Sequence, residues 1–348
     1  MRTLCNASRP SRRILRSLGS YRHFAPVTCV VTYLLALGPQ ARAVSCVTES
    51  QMNTAQRAEY IRALRALEAP IQAGNVNGVK ALTIPPVAAS FDGIAQSIEG
   101  LSPQIQGASF TVNSMYLLDA ADVKPGAEEA QFFCSVTSSP LVVTITIPQL
   151  PPGTYLLALS HATGVEHPQQ VSMILQKDND GWKLAGFFVR PMSLGGKEGV
   201  WYWGQARSYG QKKQDWDSYF YYQTAAFLLT PVDFISSPNF EKLQKETQAV
   251  RPPGLPGQDP MSLPVNGKTV EVTNIRTEGF SGELDLVVTY KTQSVSDPVA
   301  ARAEILDVMK ALLQAHPELR EAFHGLWVYA NAEGQRPFAI ELPMAQIQ

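Results

Sequence analysis

The sequence predicts an α+β fold: N-terminal helices leading into a long antiparallel sheet, a central α-hairpin, and a C-terminal ββαββ domain of two layers. Three observations carry this reading. Apolar residues recur at helical spacing over 54–72, and the pattern then changes to alternation through six segments between 109 and 190. Twelve of the 31 aromatic residues fall within 201–240, also at helical spacing, before the alternation resumes beyond 267.

The chain has 348 residues, 45% of them hydrophobic and 17% charged, enough for two or three domains with proper cores. Its first 43 residues stand apart. They hold seven arginines and no Asp or Glu, and they lead through the apolar stretch 24–37 to the small-x-small triplet Ala41-Arg42-Ala43. That is the layout of a secretory signal peptide, residues 1–43, with cleavage expected after Ala43. An apolar run of about fourteen residues is short for spanning a bilayer, so no transmembrane segment is expected after cleavage. Ser11-Arg12-Arg13-Ile14-Leu15 partly resembles a twin-arginine export motif, although Arg16 stands where a second apolar residue is expected. The protein is therefore expected to be exported, to a periplasm or the extracellular space.

Charge and cysteine content follow from that division. Without the seven arginines the 29 basic residues fall to 22 against 30 acidic ones, leaving about −8. Such a chain repels phosphate backbones, and nucleic acid is excluded as a partner on that ground. Cys5 and Cys29 leave with the signal, while Cys46 and Cys134 remain. In an oxidising compartment they are a candidate disulfide joining the mature N-terminus to a predicted strand. The alternative is two unpaired thiols, one buried and one on a frayed terminus.

The elements follow in order. Residues 54–72 form an amphipathic helix on Tyr60, Leu64, Leu67 and Ile71, with Pro70 in its last turn and Gly74 as the stop. Short helical stretches are expected at 76–82 and 90–101. Six strands follow, at 109–118, 131–137, 141–147, 154–160, 171–177 and 182–190, with Asn179-Asp180-Gly181 as a tight turn. This first domain spans 50–192. Its helix-Gly-Asn opening at 66–82 and its final hairpin, 173–191, resemble the nuclear-transport-factor-2-like, or ketosteroid-isomerase-like, superfamily. The resemblance implies a cone: helices closing over a strongly curved sheet, around a pocket in the catalytic members. Asp119, Tyr116 and Tyr155 are the loose candidates for such a pocket. They fall in no motif that carries a catalytic role over, so no catalytic residue is assigned.

The segment 197–250 follows the hinge Ser193-Leu194-Gly195-Gly196. Tyr202, Ala206 and Tyr209 make a large-small-large stripe, and Ser218, Tyr222 and Ala225 the complementary small-large-small one, with Pro231 as the stop. Two antiparallel helices interlock in this way, because small residues admit facing rings. Over 199–231 these spacings resemble a single tetratricopeptide repeat. One repeat cannot bury its own faces, so it must pack on a flanking domain or on a partner. Trp203, Trp216, Tyr219, Phe220 and Tyr221 lie off the stripe. They are either core aromatics covered by a neighbouring domain or a partner-binding patch.

Residues 251–266, opening Arg251-Pro252-Pro253-Gly254, read as a Pro/Gly linker. The last domain, 267–348, has strands at 268–275 and 283–292, a helix at 300–315 started by Asp297-Pro298, and a closing hairpin at 326–330 and 337–343.

The chain carries no Walker loop, dinucleotide fingerprint, Cys-x-x-Cys pair, nucleophile elbow or His-Glu-x-x-His helix. No cofactor and no metal are expected. The nearest approach to a metal set is His161, Glu166 and His167 in one turn-rich segment, which also suits a solvated loop. The favoured function is an exported, non-catalytic binding or assembly protein, engaging another protein or an envelope component through the aromatic hairpin. The alternative is a small-molecule-binding or isomerase-type enzyme that uses the cone's pocket.

Overall fold

Asn53 starts the first long helix by a reciprocal cap: its Oδ1 accepts from Gln56 N at 2.9 Å, and Gln56 Oε1 accepts from Asn53 N at 3.0 Å. The computed structural model in which this is seen describes residues 44–136, 141–280 and 282–348. The expected signal peptide, 1–43, lies outside the described residues. The fold is mixed α+β. After β1 (Ser45–Thr48) come α1 (Thr54–Gln72), α2 (Val76–Ala81), α3 (Pro85–Ala88) and α4 (Asp92–Leu101). Helix α1 buries the expected stripe of Tyr60, Leu64, Leu67 and Ile71. Pro70 is carried inside the helix, which ends two residues later before Gly74, at φ +65°.

Six long strands follow: β2 (Ser109–Asp119), β3 (Glu129–Ser135), β4 (Val142–Pro148), β5 (Thr154–Thr163), β6 (Gln169–Asp178) and β7 (Gly181–Pro191). They do not make the single long sheet read from the sequence. Strands β1, β2, β5, β6 and β7 form one antiparallel sheet in that order, while β3 and β4 leave it and join β10 (Ile235–Ser236) in a second sheet, β10-β4-β3. The alternation explains the division. On β5, Leu156, Ala158 and Ala162 face the helices, whereas Tyr155, Leu157 and Leu159 face Phe132, Ile145 and Ile147 of the second sheet. A sheet that is apolar on both faces needs cover on both, and the three layers supply it. The disulfide Cys46–Cys134 is present, with a Cα–Cα distance of 5.2 Å, and staples β1 of the first sheet to β3 of the second.

A short hairpin, β8 (Ser193–Leu194) and β9 (Lys197–Glu198), turns through Gly195 and Gly196, both at positive φ. Helices α5 (Gly199–Gln211), α6 (Asp215–Leu229) and α7 (Pro238–Ala249) follow. The C-terminal part contains β11 (Met261–Val265), β12 (Lys268–Phe280), β13 (Glu283–Lys291), α8 (Pro298–Ala315), α9 (Leu319–Ala322), β14 (Gly325–Asn331) and β15 (Phe338–Pro343). These strands form one sheet in chain order, with β13 and β14 parallel across the α8–α9 crossover and the other neighbours antiparallel. Strand β11 corrects the sequence reading, which gave these residues to the linker. Leu263 and Val265 are buried there, and Pro264 is accommodated because β11 lies at the sheet edge. Asp297 caps α8 by accepting from the N–H groups of Val299 and Ala300. One continuous core then runs from Tyr202 and Phe220 of the helices to Leu286, Val288, Met309 and Val328 of the C-terminal sheet and its helix. Among the described residues, no helix is long and apolar enough to cross a membrane.

Candidate functional site

The aromatic stripes meet as their spacing predicts, with Ser218 Oγ donating to Ala206 O at 2.8 Å between α5 and α6. The five off-stripe aromatics are each engaged by the chain itself. The Trp216 ring stacks on His316 at 3.7 Å, where burial lowers the imidazole pKa. Phe220 and Tyr221 both meet Phe323 edge-on, and Tyr221 Oη donates to Ala322 O at 2.7 Å. Tyr219 Oη accepts from Arg251 at 2.6 Å and from Gln223 at 2.8 Å. Trp203 Nε1 donates to Glu246 Oε2 at 2.7 Å on α7. Trp216, Tyr219, Phe220 and Tyr221 are therefore core residues, and Trp203 is half-buried. Of the two readings of these residues, the partner-binding patch is not a free surface: the C-terminal part and α7 cover it, and burial of so much ring area favours that outcome.

Exposed aromatics lie elsewhere: Phe133 on β3, Phe280 on β12, and three more at the far end of the hairpin. Phe227 is 43% exposed on α6 and Phe188 37% exposed on β7. Arg190 sits 4.8 Å above the Phe227 ring and pairs with Asp233 at 2.6 Å, while Phe188 packs edge-on against Phe234 at 5.3 Å. Trp201, 40% exposed, opens α5 at the same end, because a Cβ on Gly199 would come within 2.6 Å of Leu229 Cγ.

Beside this rim runs a groove of about 470 Å³ between α6, α7 and β10. Gln223, Ala226 and Thr230 supply one wall; their spacing of three and four puts them, with Phe227, along neighbouring rows of α6. Phe240, Leu243, Gln244, Thr247 and Gln248 supply the facing wall on α7, and Ile235 and Ser236 the strand between. Helix α7 is aimed there by Ser237, whose Oγ accepts from Phe240 N, and by the Glu246 carboxylate that ties it to α5 and α6. Amides and hydroxyls over an apolar floor make a surface suited to holding a ligand in a fixed orientation, within the size range of ordinary ligand sites. Sequence reasoning missed this groove because its walls are 20 residues apart and none carries a motif. The available signal was the Gln-x-x-Ala-x-x-x-Thr face of α6, polar and small on a helix read as apolar nearly all round.

The remaining candidates do not converge. His161 on β5 pairs with Gln170 at 3.4 Å, and His167 and Glu166 sit 4.0 Å apart on the following exposed turn. Among the described residues no group of three His, Cys, Asp or Glu side chains is arranged to hold a metal. Tyr116 and Tyr155 face the second sheet and not the helices. Burial raises the pKa of both, and Tyr155 Oη donates to Pro151 O at 2.9 Å. Asp119 accepts from Ala121 N in a local turn. The space between the helices and the first sheet is filled by apolar side chains including Leu64, Ile98, Met115 and Met173, all at most 1% exposed. No protein-family model, curated protein or solved structure matches the chain.

Proposed function

We propose that the chain is an exported, non-catalytic binding or assembly protein of the cell envelope or extracellular space, and that it holds its partner at the groove between α6, α7 and β10 and the rim beside it. The carrying observation is Phe227: a large ring 43% exposed next to a formed groove, in a helix whose other rings are buried. Exposed aromatics beside a concave surface are the usual anchors of protein contacts. The Cys46–Cys134 bridge supports an oxidising compartment. The filled space under the N-terminal helices weighs against the pocket enzyme. The tetratricopeptide resemblance of 199–231 is compatible with a helical pair completed by its neighbours rather than by further repeats.

The test is cross-linking mass spectrometry on the full chain in its own cells, comparing the wild type with a Phe188→Ala/Phe227→Ala double variant. Loss of most of the cross-linked partner at unchanged thermal stability is expected. A partner captured equally by both would defeat the reading.

A further inference from the structure

We infer that the first turn of α6 and the facing segment 318–321 form a binding site for a hard divalent cation of the calcium class, which clamps the helical hairpin to the C-terminal part. The site is separate from the groove and does not depend on it. An excess of buried acceptors points to it. Asp217 is fully buried, and neither of its carboxylate oxygens has a hydrogen-bond partner among the described residues. The same holds for the buried Oε1 of Gln214, three residues earlier. A carboxylate taken out of water without donors is strongly disfavoured unless a positive charge meets it.

The surroundings add acceptors rather than donors. Burial first, then the charges of Glu318 and Glu321, raise the Asp217 pKa against a weaker pull from Lys212, so both glutamates lie within electrostatic reach of it. Gln214 Nε2 donates to Glu321 Oε2 at 3.3 Å, which brings the Gln214 amide to that same carboxylate. The two cationic side chains at hand engage the glutamates instead of Asp217: Lys212 Nζ meets Glu321 Oε1 at 3.0 Å, and His316 Nδ1 lies 3.4 Å from Glu318 Oε1. While those pairs hold, the three carboxylates are not drawn into one ligand set. A cation entering past the exposed Glu321 displaces Lys212 and gathers Asp217, Gln214 Oε1 and the glutamates around itself.

The donor set names the ion. Carboxylate and amide oxygens without a thiolate select calcium or magnesium over softer transition metals. Calcium accepts about six to eight oxygens in flexible geometry, whereas magnesium demands a near-ideal octahedron that a site assembled from two chain segments does not offer. Because Lys212 must be displaced, the dissociation constant is on the order of 0.1–1 mM, the range of extracellular oxygen-ligand sites.

Terbium, a luminescent stand-in for calcium, is the probe. Trp216 adjoins Asp217 in the chain, and Tyr209 and Tyr221 lie within its electrostatic reach, so rings able to sensitise the ion surround the site. The full chain is stripped with a chelator and titrated just above neutral pH, where Asp217 ionises. Ring-sensitised luminescence is expected, displaced by calcium at roughly 0.1–1 mM and by magnesium about tenfold less well. Asp217→Asn, which keeps the side chain's shape, should weaken binding by about tenfold or more, and Lys212→Gln, which removes the competing ammonium, should strengthen it several-fold. Calcium should also raise the urea midpoint of the wild type and leave that of Asp217→Asn unmoved. Luminescence that survives Asp217→Asn undiminished would mean an adventitious ion only and would overturn the site. A wild-type midpoint indifferent to about 10 mM calcium would overturn it equally, leaving water or a proton to relieve the buried carboxylate.

Discussion

Trp203 and Glu246 are joined by a 2.7 Å hydrogen bond from the indole N–H to Oε2, and that carboxylate is the knot of the three-helix segment. Arg207 donates to it twice, at 2.8 Å each, and Tyr222 once, at 3.1 Å. Residues from α5 and α6 thereby fasten α7, the wall that carries Gln244 and Gln248. The Arg207 hydrogen bonds first, with help from Trp203 and Tyr222, hold the Glu246 carboxyl down to about 2 from an ordinary 4.5.

The sign follows from that depression. The carboxylate's contribution is fully present above about pH 4.5 and is lost as the pH falls from there toward 2. Glu246→Gln should cost on the order of 2–3 kcal/mol at pH 7, and much less near pH 2. Urea unfolding of both proteins at the two pH values measures it. An equal difference at both would show that Glu246 acts by packing and not by charge.

The disulfide offers a second prediction. It closes a loop spanning 88 positions and joins two sheets that are also held together by apolar contact between Tyr155, Leu157, Phe132 and Ile145 and by a hydrogen bond from Thr48 Oγ1 to Ser135 O at 3.3 Å. Constraining the unfolded chain over such a loop stabilises by about 4 kcal/mol. A Cys46→Ser/Cys134→Ser variant, and the wild type under reductant, should lose similar amounts in urea titration. A loss under about 1 kcal/mol would mean that the sheet-to-sheet core holds β1 and β3 without the bridge.

How far the sequence could be read depended on the range of the interaction. The stripe of α1, the alternation of the strands and the interlock of Tyr202, Ala206 and Tyr209 with Ser218, Tyr222 and Ala225 are local patterns, and the structure contains them. Alternation cannot say which sheet a strand joins. Strands β3 and β4 alternate as β5 does, yet they belong to a different layer. The five off-stripe aromatics announced that something covers them. What covers four of them, His316, Ala322, Phe323 and Arg251, lies 30 to 100 residues further on. The groove was illegible for the same reason: Ile235 matters only because β10 meets β4, and Phe227 only because Arg190 and Asp233 frame it.

Asp217 gives the last prediction. It is fully buried in the first turn of α6, and neither carboxylate oxygen has a hydrogen-bond partner among the described residues. Burial above all, then the nearby Glu318 and Glu321, raise its pKa from 3.8 to about 7 against the weaker pull of Lys212. The native state thus keeps a proton that the unfolded chain has already released. Stability is unpenalised below about pH 4, falls as the pH rises from there, and carries the full penalty above about 7. That penalty is on the order of 3–4 kcal/mol. Asp217→Asn cannot ionise, so it should match the wild type near pH 4 and exceed it at pH 8 by a large part of that amount. Because Asp217 lies where α6 meets the segment bearing Glu318 and Glu321, the gain should also appear as slower amide exchange at Ala322 and Phe323. A wild type whose urea midpoint is flat between pH 4 and 8 would show that the carboxylate finds a partner or water that relieves its burial.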